Sequence, residues 1–379
     1  MKNVVIAGYV RSPFTPANKG ELRGVRPDEL AAQVIKGLVA KTGVATGDIE
    51  DLILGCAFPE GEQGFNMARL VVFLAGLPQS VAGATVNRFC GSSMQAIHMA
   101  AGAIAMDAGE VFICAGVESM TRVPMMGFNP MPHPGLYERY PQAYMAMGET
   151  AENVAAKYQI SRAEQEAFAI SSQQRAAAAQ AQGRFEPEIV AITQDGATIR
   201  NDGCIRPDTS AEGLAALKPA FDAKGSVTAG TSSPLTDGAA AVLVCSEDYA
   251  KKSGLRALAR IRSIAVAGCA PEIMGIGPVP ATRKALARAG LTIKDIDVAE
   301  VNEAFASQSL AVLRDLGLAR GKVNLDGGAI ALGHPLGASG ARITGKAASL
   351  LARDGGRFAL ATQCIGGGQG IATVLEAMA

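Results

Sequence analysis

The sequence predicts an α/β fold in which one supersecondary unit occurs twice, with a separate segment inserted between the copies. Short apolar strand-like runs alternate with helix-like runs in both end portions, the pattern of sheets covered by helices on both faces. The two ends also share a register. Gly290 lies 247 positions after Gly43, and at the same offset Asp295-Ile296 follows Asp48-Ile49, Ala304-Phe305 follows Ala57-Phe58, and Gly337 follows Cys90. Val117 falls on Cys364 at the same offset, and a shared register over about seventy residues points to an internal repeat. Between the ends, Met- and Pro-rich text breaks the alternation.

Taken in order, the opening run MKNVVIAGYVRSPF reads as a first strand. Gly43 closes the helix-like KGLVAKTG, and strands follow near 51–54, 83–87 and 111–116. The second copy repeats this: Gly290 closes KALARAG, and strands are expected near 298–301, 322–325 and 358–362. Short apolar strands such as FALAT suit sheets buried on both sides. In the middle, TRVPMMGFNPMPHPGLYERYPQ carries too much proline for regular helix or strand. The helical stretch ETAENVAAKYQISRAEQEAFAISSQQRAAAAQAQG follows it, with Ser161 and Glu164 as a capping-box pattern and Gly183 as a stop. The expected units are residues 1–117, an inserted segment 118–244, and 245–379.

Composition excludes several classes. With 379 residues the chain can bury a large core. Its 35 basic and 35 acidic residues cancel, so no global field draws it to nucleic acid or an anionic membrane. The most apolar stretch, Ala96 to Met106, is too short for a membrane span and contains His98. The N-terminal run lacks the apolar region and cleavage site of a signal peptide, so a cytoplasmic protein is expected. Seven cysteines with no CxxC and no close Cys/His pairs argue against a disulfide framework or a metal site and for free thiols.

Four residues carry candidate chemistry. Cys90 stands between the strand GATVN and the helix GSSMQAIHMAAGAIAM, where unpaired helix N–H groups favour a thiolate. His334 lies in the Gly-rich turn GHPLGASG before another helix, placed to take a proton or polarise an oxyanion. Cys364 precedes Gly366, Gly367 and Gly368, where backbone can approach a substrate closely. Asn302, after the strand VAEV, can hold a water. Each also has a plain structural reading: a packing cysteine, a turn histidine, a glycine-rich bend, a helix N-cap. The two cysteines could also form a redox pair. His98 reads as a core residue and His133 as a surface one. Cys56, Cys114, Cys204, Cys245 and Cys269 read as packing residues, and Glu118 and Glu303 as structural ion pairs.

In this order, VNRFCGSSMQAI, VNEAFA, GGAIALGHPLGASG and QCIGGGQG resemble the thiolase family, and the likeness runs along essentially the whole chain. The resemblance implies two repeated βαβαβαββ halves stacked as α-β-α-β-α layers, with an inserted loop domain that binds CoA. It implies CoA-dependent cleavage of 3-ketoacyl-CoA to acetyl-CoA and a shortened acyl-CoA, with CoA as substrate and no permanently bound cofactor. Cys90 would be acylated, His334 would activate it and help hold the thioester oxygen, and Cys364 would be the acid/base. Asn302 would hold a water in one oxyanion hole, and the N–H groups of Cys90 and Gly366 would form the other. Arg206 in IRPDT would lie near the nucleotide end. Phe221, Ala229 and Ser233 would line the pantetheine and adenine, and Met147 and Phe305 the pantetheine tunnel. The Met run from Met120 to Met147 suits loop filling or an adaptable acyl tunnel.

Ala146, where biosynthetic thiolases commonly carry His, and the short segment with HPGL resemble degradative 3-ketoacyl-CoA thiolases. That likeness implies a homodimer, or a higher homo-oligomer, with a hydratase/dehydrogenase subunit as a candidate partner. A biosynthetic thiolase condensing two acetyl-CoA is the close alternative. A non-catalytic acyl-CoA-binding subunit is the alternative of another class, and it has no use for both cysteines. A decarboxylating ketoacyl synthase would lack Cys364 and its glycines.

Overall fold

A computed structural model describes residues 2–378; Met1 and Ala379, at the ends of the first and last expected units, lie outside the described residues. The first half runs β1 (Val4–Arg11), α1 (Pro27–Thr42), β2 (Asp51–Gly55), α2 (Met67–Leu74), β3 (Ala82–Val86), α3 (Ser92–Ala105) and β4 (Val111–Ser119). The inserted segment carries α4 (Pro134–Arg139), α5 (Met147–Lys157) and α6 (Arg162–Ala181). Then come β5 (Thr236–Ser246), β6 (Ala259–Gly268), α7 (Pro278–Ala289), β7 (Val298–Val301), α8 (Ala306–Leu316), α9 (Leu336–Asp354), β8 (Phe358–Ile365) and β9 (Gln369–Ala377). The strands join in the order β7-β8-β9-β6-β1-β5-β4-β2-β3. Within the sheet, among the described residues, the halves join where β1 pairs with β6, at Val5↔Arg260 and Ile6↔Ala259.

The repeat is visible in the elements. α1 and α7 both end on a left-handed glycine, Gly43 at φ 68° and Gly290 at φ 69°, the conformation that closes a helix at least cost to glycine. Strand alternation then sorts side chains into layers. Leu52 and Leu54 of β2 pack with Leu30, Ile35 and Leu38 of α1. Ile53, between them, faces Met94 and Ile97 of α3 and Ile343 of α9. On the far side Leu360 and Val374 pack against Val279, Leu286 and Val312 of α7 and α8. The result is five layers, α-β-α-β-α, with α3 and α9 in the middle. β5 pairs with β1 and β4, so this strand sits with the first half, although the expected inserted segment 118–244 contained most of it.

Three expectations change. Residues 322–325 form no ladder strand; only Val323 bridges Ala299. Asn324, at φ 48°, instead turns its side-chain amide to Val301, accepting from its N–H at 2.9 Å and donating to its carbonyl at 2.8 Å. The helical stretch of 149–183 is two helices, broken at Gln159 with φ 51°, and the Ser161–Glu164 capping box starts the second. In the Pro-rich text, PGLYER forms a short helix capped by His133, which accepts from the Leu136 N–H.

Buried charge fixes α9 against the rest. Arg342 donates to Glu300 at 2.7 Å, and Lys346 reaches Glu188 at 3.0 Å and Asp326 at 2.9 Å. Glu188 also accepts from Arg11 of β1 at 2.8 Å, so both halves and the inserted segment share one paired network. Close backbone approach sets the other contact of α9: a Cβ on Gly116 would lie 2.1 Å from the Gly337 carbonyl.

Candidate active site

Cys90 sits at the elbow between β3 and α3. Asn87 accepts from the Phe89 N–H at 2.8 Å and donates to the Ala57 carbonyl at 3.0 Å. The Arg88 guanidinium reaches Gln369 of β9 at 2.7 Å. These anchors hold Phe89 at φ 43°, a left-handed conformation that costs a non-glycine residue about 1–3 kcal/mol. From the other half, Gln363 of β8 donates to the Cys90 carbonyl. Gly91 permits this approach, since a Cβ there would lie 2.6 Å from Ile365.

The Cys90 thiol is buried, 3% exposed. Burial pushes it up to about 12, against the N–H groups of Gly366 and Cys90 itself, which favour the thiolate. The direction is opposite to that expected from a helix N-terminus alone: losing water outweighs the N–H groups. Those same groups are a pair of donors converging on sulfur, as an oxyanion hole requires.

His334 precedes α9. Its N–H donates to Thr236 at 3.0 Å, and its Nδ1 meets the Ser339 hydroxyl. Ser339 donates its own proton to the Pro335 carbonyl at 3.0 Å. The hydroxyl therefore accepts from Nδ1–H and leaves Nε2 as the basic nitrogen. Nε2 faces the Asn302 amide at 3.3 Å. Burial, and then the Arg342 charge, push His334 down to about 3, so the ring is neutral at working pH, and any proton it accepts must come as the reaction proceeds. Asn302 lies wholly buried after β7, and its Oδ1 has no protein partner. Phe305, not Asn302, is the N-cap of α8, which removes the capping alternative.

Cys364 lies inside β8, paired with Gly370. Burial and then the charge of Cys90 push its thiol up. Gly367 and Gly368 turn the β8–β9 hairpin at φ 78° and 84°. Cys364 packs in one apolar cluster with Phe305, Met147, Ala151 and Met274. Phe221 meets Phe305 edge-on at 5.8 Å, and Ser233 donates its N–H to the Ala304 carbonyl at 2.9 Å. The structure thus brings Met147 and Phe305 beside Cys364, with Phe221 against Phe305 and Ser233 against Ala304. Ala229 is exposed in a short turn just before Ser233. Arg206 stands apart: its N–H donates to Gln173 of α6 at 2.8 Å and its side chain is exposed.

Several functional contacts had no sequence signal. Glu118 accepts from the N–H groups of Ala57 at 2.8 Å and Gly337 at 2.8 Å, tying the Cys90 side to the His334 turn. Glu303 accepts from Ser172 at 2.6 Å and Asn324 at 2.8 Å. Both carboxylates hold neutral donors rather than the ion pairs expected of them. His98 is a buried core residue meeting Thr373 at 2.8 Å.

Fold and site define a class: an acyltransferase built from two related α/β halves, with paired cysteines at their junction. A family model described as "Thiolase, N-terminal domain" matches residues 4–248, and "Thiolase, C-terminal domain" matches 255–377. A 3-ketoacyl-CoA thiolase of Shewanella sp. (strain MR-7) is 52% identical over 99% of this chain and 100% of its own length. A 3-ketoacyl-CoA thiolase of Pseudoalteromonas translucida (strain TAC 125) is 52% identical over 99% of each chain. The crystal structure of human mitochondrial 3-ketoacyl-CoA thiolase in complex with CoA superposes with a TM-score of 0.92 at 40% identity, covering 100% of this chain and 98% of that one. The chain belongs to the thiolase family.

Proposed function

We propose that the chain cleaves 3-ketoacyl-CoA with CoA, in the degradative direction. The observation that supports it most is that the Gly366 N–H, Cys364 and Leu336, two residues after His334, all meet at the one buried thiol of Cys90, while the neutral His334 pairs with Asn302 just before α9. Cys90 attacks the 3-keto carbon as His334 Nε2 takes its proton. The Cys90 and Gly366 N–H groups hold the oxyanion. The carbon–carbon bond breaks, and the acetyl-CoA enolate is held by His334 and a water on Asn302 while Cys364 protonates its carbon. CoA then attacks the acyl-cysteine, Cys364 takes the CoA thiol proton and is restored, and the departing Cys90 thiolate takes back the proton held by His334. CoA serves as substrate, its pantetheine lying along Met147, Phe221 and Phe305, with Ser233 and Ala229 beside it and Arg206 toward the nucleotide.

Thiolysis of acetoacetyl-CoA and of a long-chain 3-ketoacyl-CoA, measured side by side, tests the direction. The degradative reading expects faster cleavage of the long substrate. Activity confined to acetoacetyl-CoA would leave the biosynthetic reading in its place.

The assembly we propose is a cytoplasmic homodimer. β3 ends the sheet and, among the described residues, pairs with β2 alone. Beside it Phe65 is 94% exposed and Leu70, Phe73 and Leu74 of α2 are partly exposed. An open edge flanked by apolar side chains is a surface that native proteins cover. Sedimentation equilibrium should give two chains, and Phe65→Glu combined with Phe73→Glu should shift the mass toward one; a monomeric wild type would sink the idea. A hydratase/dehydrogenase subunit, which delivers the 3-ketoacyl-CoA this site consumes, is the proposed second partner. No helix among the described residues is long and apolar enough to cross a membrane.

A further inference from the structure

One buried carboxylate lies between the Cys90 elbow and the His334 turn and belongs to neither. Glu118, near the end of β4, is 1% exposed. Its Oε2 accepts from the Ala57 N–H and the Gly337 N–H, each at 2.8 Å. Its Oε1 accepts from the Gln63 amide at 2.9 Å, the Phe58 N–H at 3.2 Å and the Cys56 thiol at 3.6 Å. Gln63 is itself wholly buried, and its Oε1 accepts from the Ser119 N–H at 2.7 Å. Every donor to Glu118 is neutral, and a charge buried without a counter-ion is costly. If packing were all that the position required, an apolar side chain would fill it at lower cost.

Two routes lead from this carboxylate toward the chemistry. On one side, the Ala57–Phe58 peptide gives its N–H to Glu118, while its carbonyl accepts from Asn87 at 3.0 Å. Asn87 in turn accepts from the Phe89 N–H at 2.8 Å, so the elbow that carries Cys90 hangs from a peptide that Glu118 holds. On the other side, Gly337 stands in the first turn of α9, three residues after His334, where N–H groups have no partner within the helix. It is seated tightly: a Cβ on Gly337 would lie 2.7 Å from the Val117 carbonyl and 2.8 Å from the Gly55 carbonyl. Its neighbour Leu336 packs in one cluster with Cys90, Ala57 and Met120. Glu118 thus ties an elbow of the first half to a turn of the second, without a hydrogen bond to Cys90 or His334 themselves.

We propose that Glu118 is a positioning residue for the acyl transfer, fixing the Cys90 elbow against the His334 turn in the geometry that proton transfer needs. This rests on the acyl-cysteine reading above. The charge of Glu118 acts on the thiol in the opposite sense: after burial, it adds to what holds Cys90 protonated at rest. Its loss alone would make the sulfur a readier nucleophile, so slower acylation without Glu118 reports geometry rather than charge. The test follows single-turnover acylation of Cys90 by acetyl-CoA, read by intact mass, in wild type, Glu118→Gln and Glu118→Asp. Gln keeps the size and loses one acceptor; Asp keeps the charge and is one methylene shorter. Each should lower the acylation rate constant by about 10–100-fold, a displacement of about 1 Å costing up to the larger figure. The final extent of acylation, and CoA affinity by calorimetry, should stay within about twofold of wild type. A merely structural role would do the reverse, cutting the fraction of chains that acylate and leaving the rate constant of the rest unchanged. That result would overturn the proposal, as would a wild-type rate constant in either folded variant, faster acylation in Glu118→Gln, or an equal loss of CoA affinity. Should Glu118→Gln fail to fold by circular dichroism, Glu118→Asp decides. Failure of wild type to acylate at all would overturn the acyl-cysteine reading instead.

Discussion

Cys90→Ala is expected to remove thiolysis almost completely, by about 10⁴–10⁶ in kcat, the scale seen when a covalent nucleophile is deleted from an intact site. CoA binding should survive. The thiol is buried at an elbow whose form depends on other groups, namely Asn87, Arg88 and Gln363. The proposed CoA contacts lie in the neighbouring cluster of Met147 and Phe305. Removing one sulfur from a 3% exposed position leaves a small void rather than an unpaired charge, because burial holds the thiol protonated. The same protonation shapes the pH dependence. With Cys90 raised to about 12 and His334 lowered to about 3, no resting thiolate–imidazolium pair forms, and the proton moves during attack. Activity should therefore show no rise with pH through 7–8 of the kind a free thiol titrating near its ordinary value produces. Calorimetry of CoA binding and a steady-state thiolysis assay on the same preparation separate the outcomes. Turnover near the wild-type rate would end the acyl-cysteine mechanism, and loss of CoA binding would place Cys90 in the scaffold.

The four candidate residues stood out because each carries a local signature: a reactive or polar side chain at the start or end of an element, beside glycines for Cys90, His334 and Cys364. The contacts that tune them did not. Gln363 and Cys90 lie 273 positions apart, and Glu118 and Gly337 lie 219 apart, so no local window contains either pair. The thiol's direction was misjudged for a related reason: a helix N-terminus is visible in sequence, whereas burial belongs to the assembled fold. Layering was legible through alternation, as Leu52, Ile53 and Leu54 show. The lost strand at 322–325 was not, because Asn324 replaces backbone pairing with its side-chain amide. The helix break at Gln159 was in fact signalled, since a capping box at Ser161 marks a start and cannot lie inside a continuous helix.

Cys364→Ala should separate the two half-reactions. Acylation of Cys90 by an acyl-CoA needs the nucleophile, its N–H donors and His334, none of which Cys364 contacts through a hydrogen bond. It should persist and appear as an acyl mass increment on Cys90. Carbon–carbon cleavage needs a proton delivered to the enolate carbon, and thiolysis should fall by about 10²–10⁴, the usual contribution of a placed acid/base group. The fold supports the assignment. Cys364 sits in β8 with Ala151, Met274 and Phe305 around it, so alanine fits the pocket with little strain. Burial and the nearby Cys90 hold its thiol above the ordinary range, which makes it the protonated partner at rest and a donor before it is ever a base. Condensation of two acetyl-CoA, the reverse direction, needs the same group to remove a proton from carbon, so it should fall with thiolysis. Failure of Cys90 acylation in Cys364→Ala would show that the departing CoA thiolate also needs the Cys364 proton, the reverse of the CoA-attack step. Thiolysis near the wild-type rate would return the proton transfer to His334 and leave Cys364 as a packing residue of the tunnel.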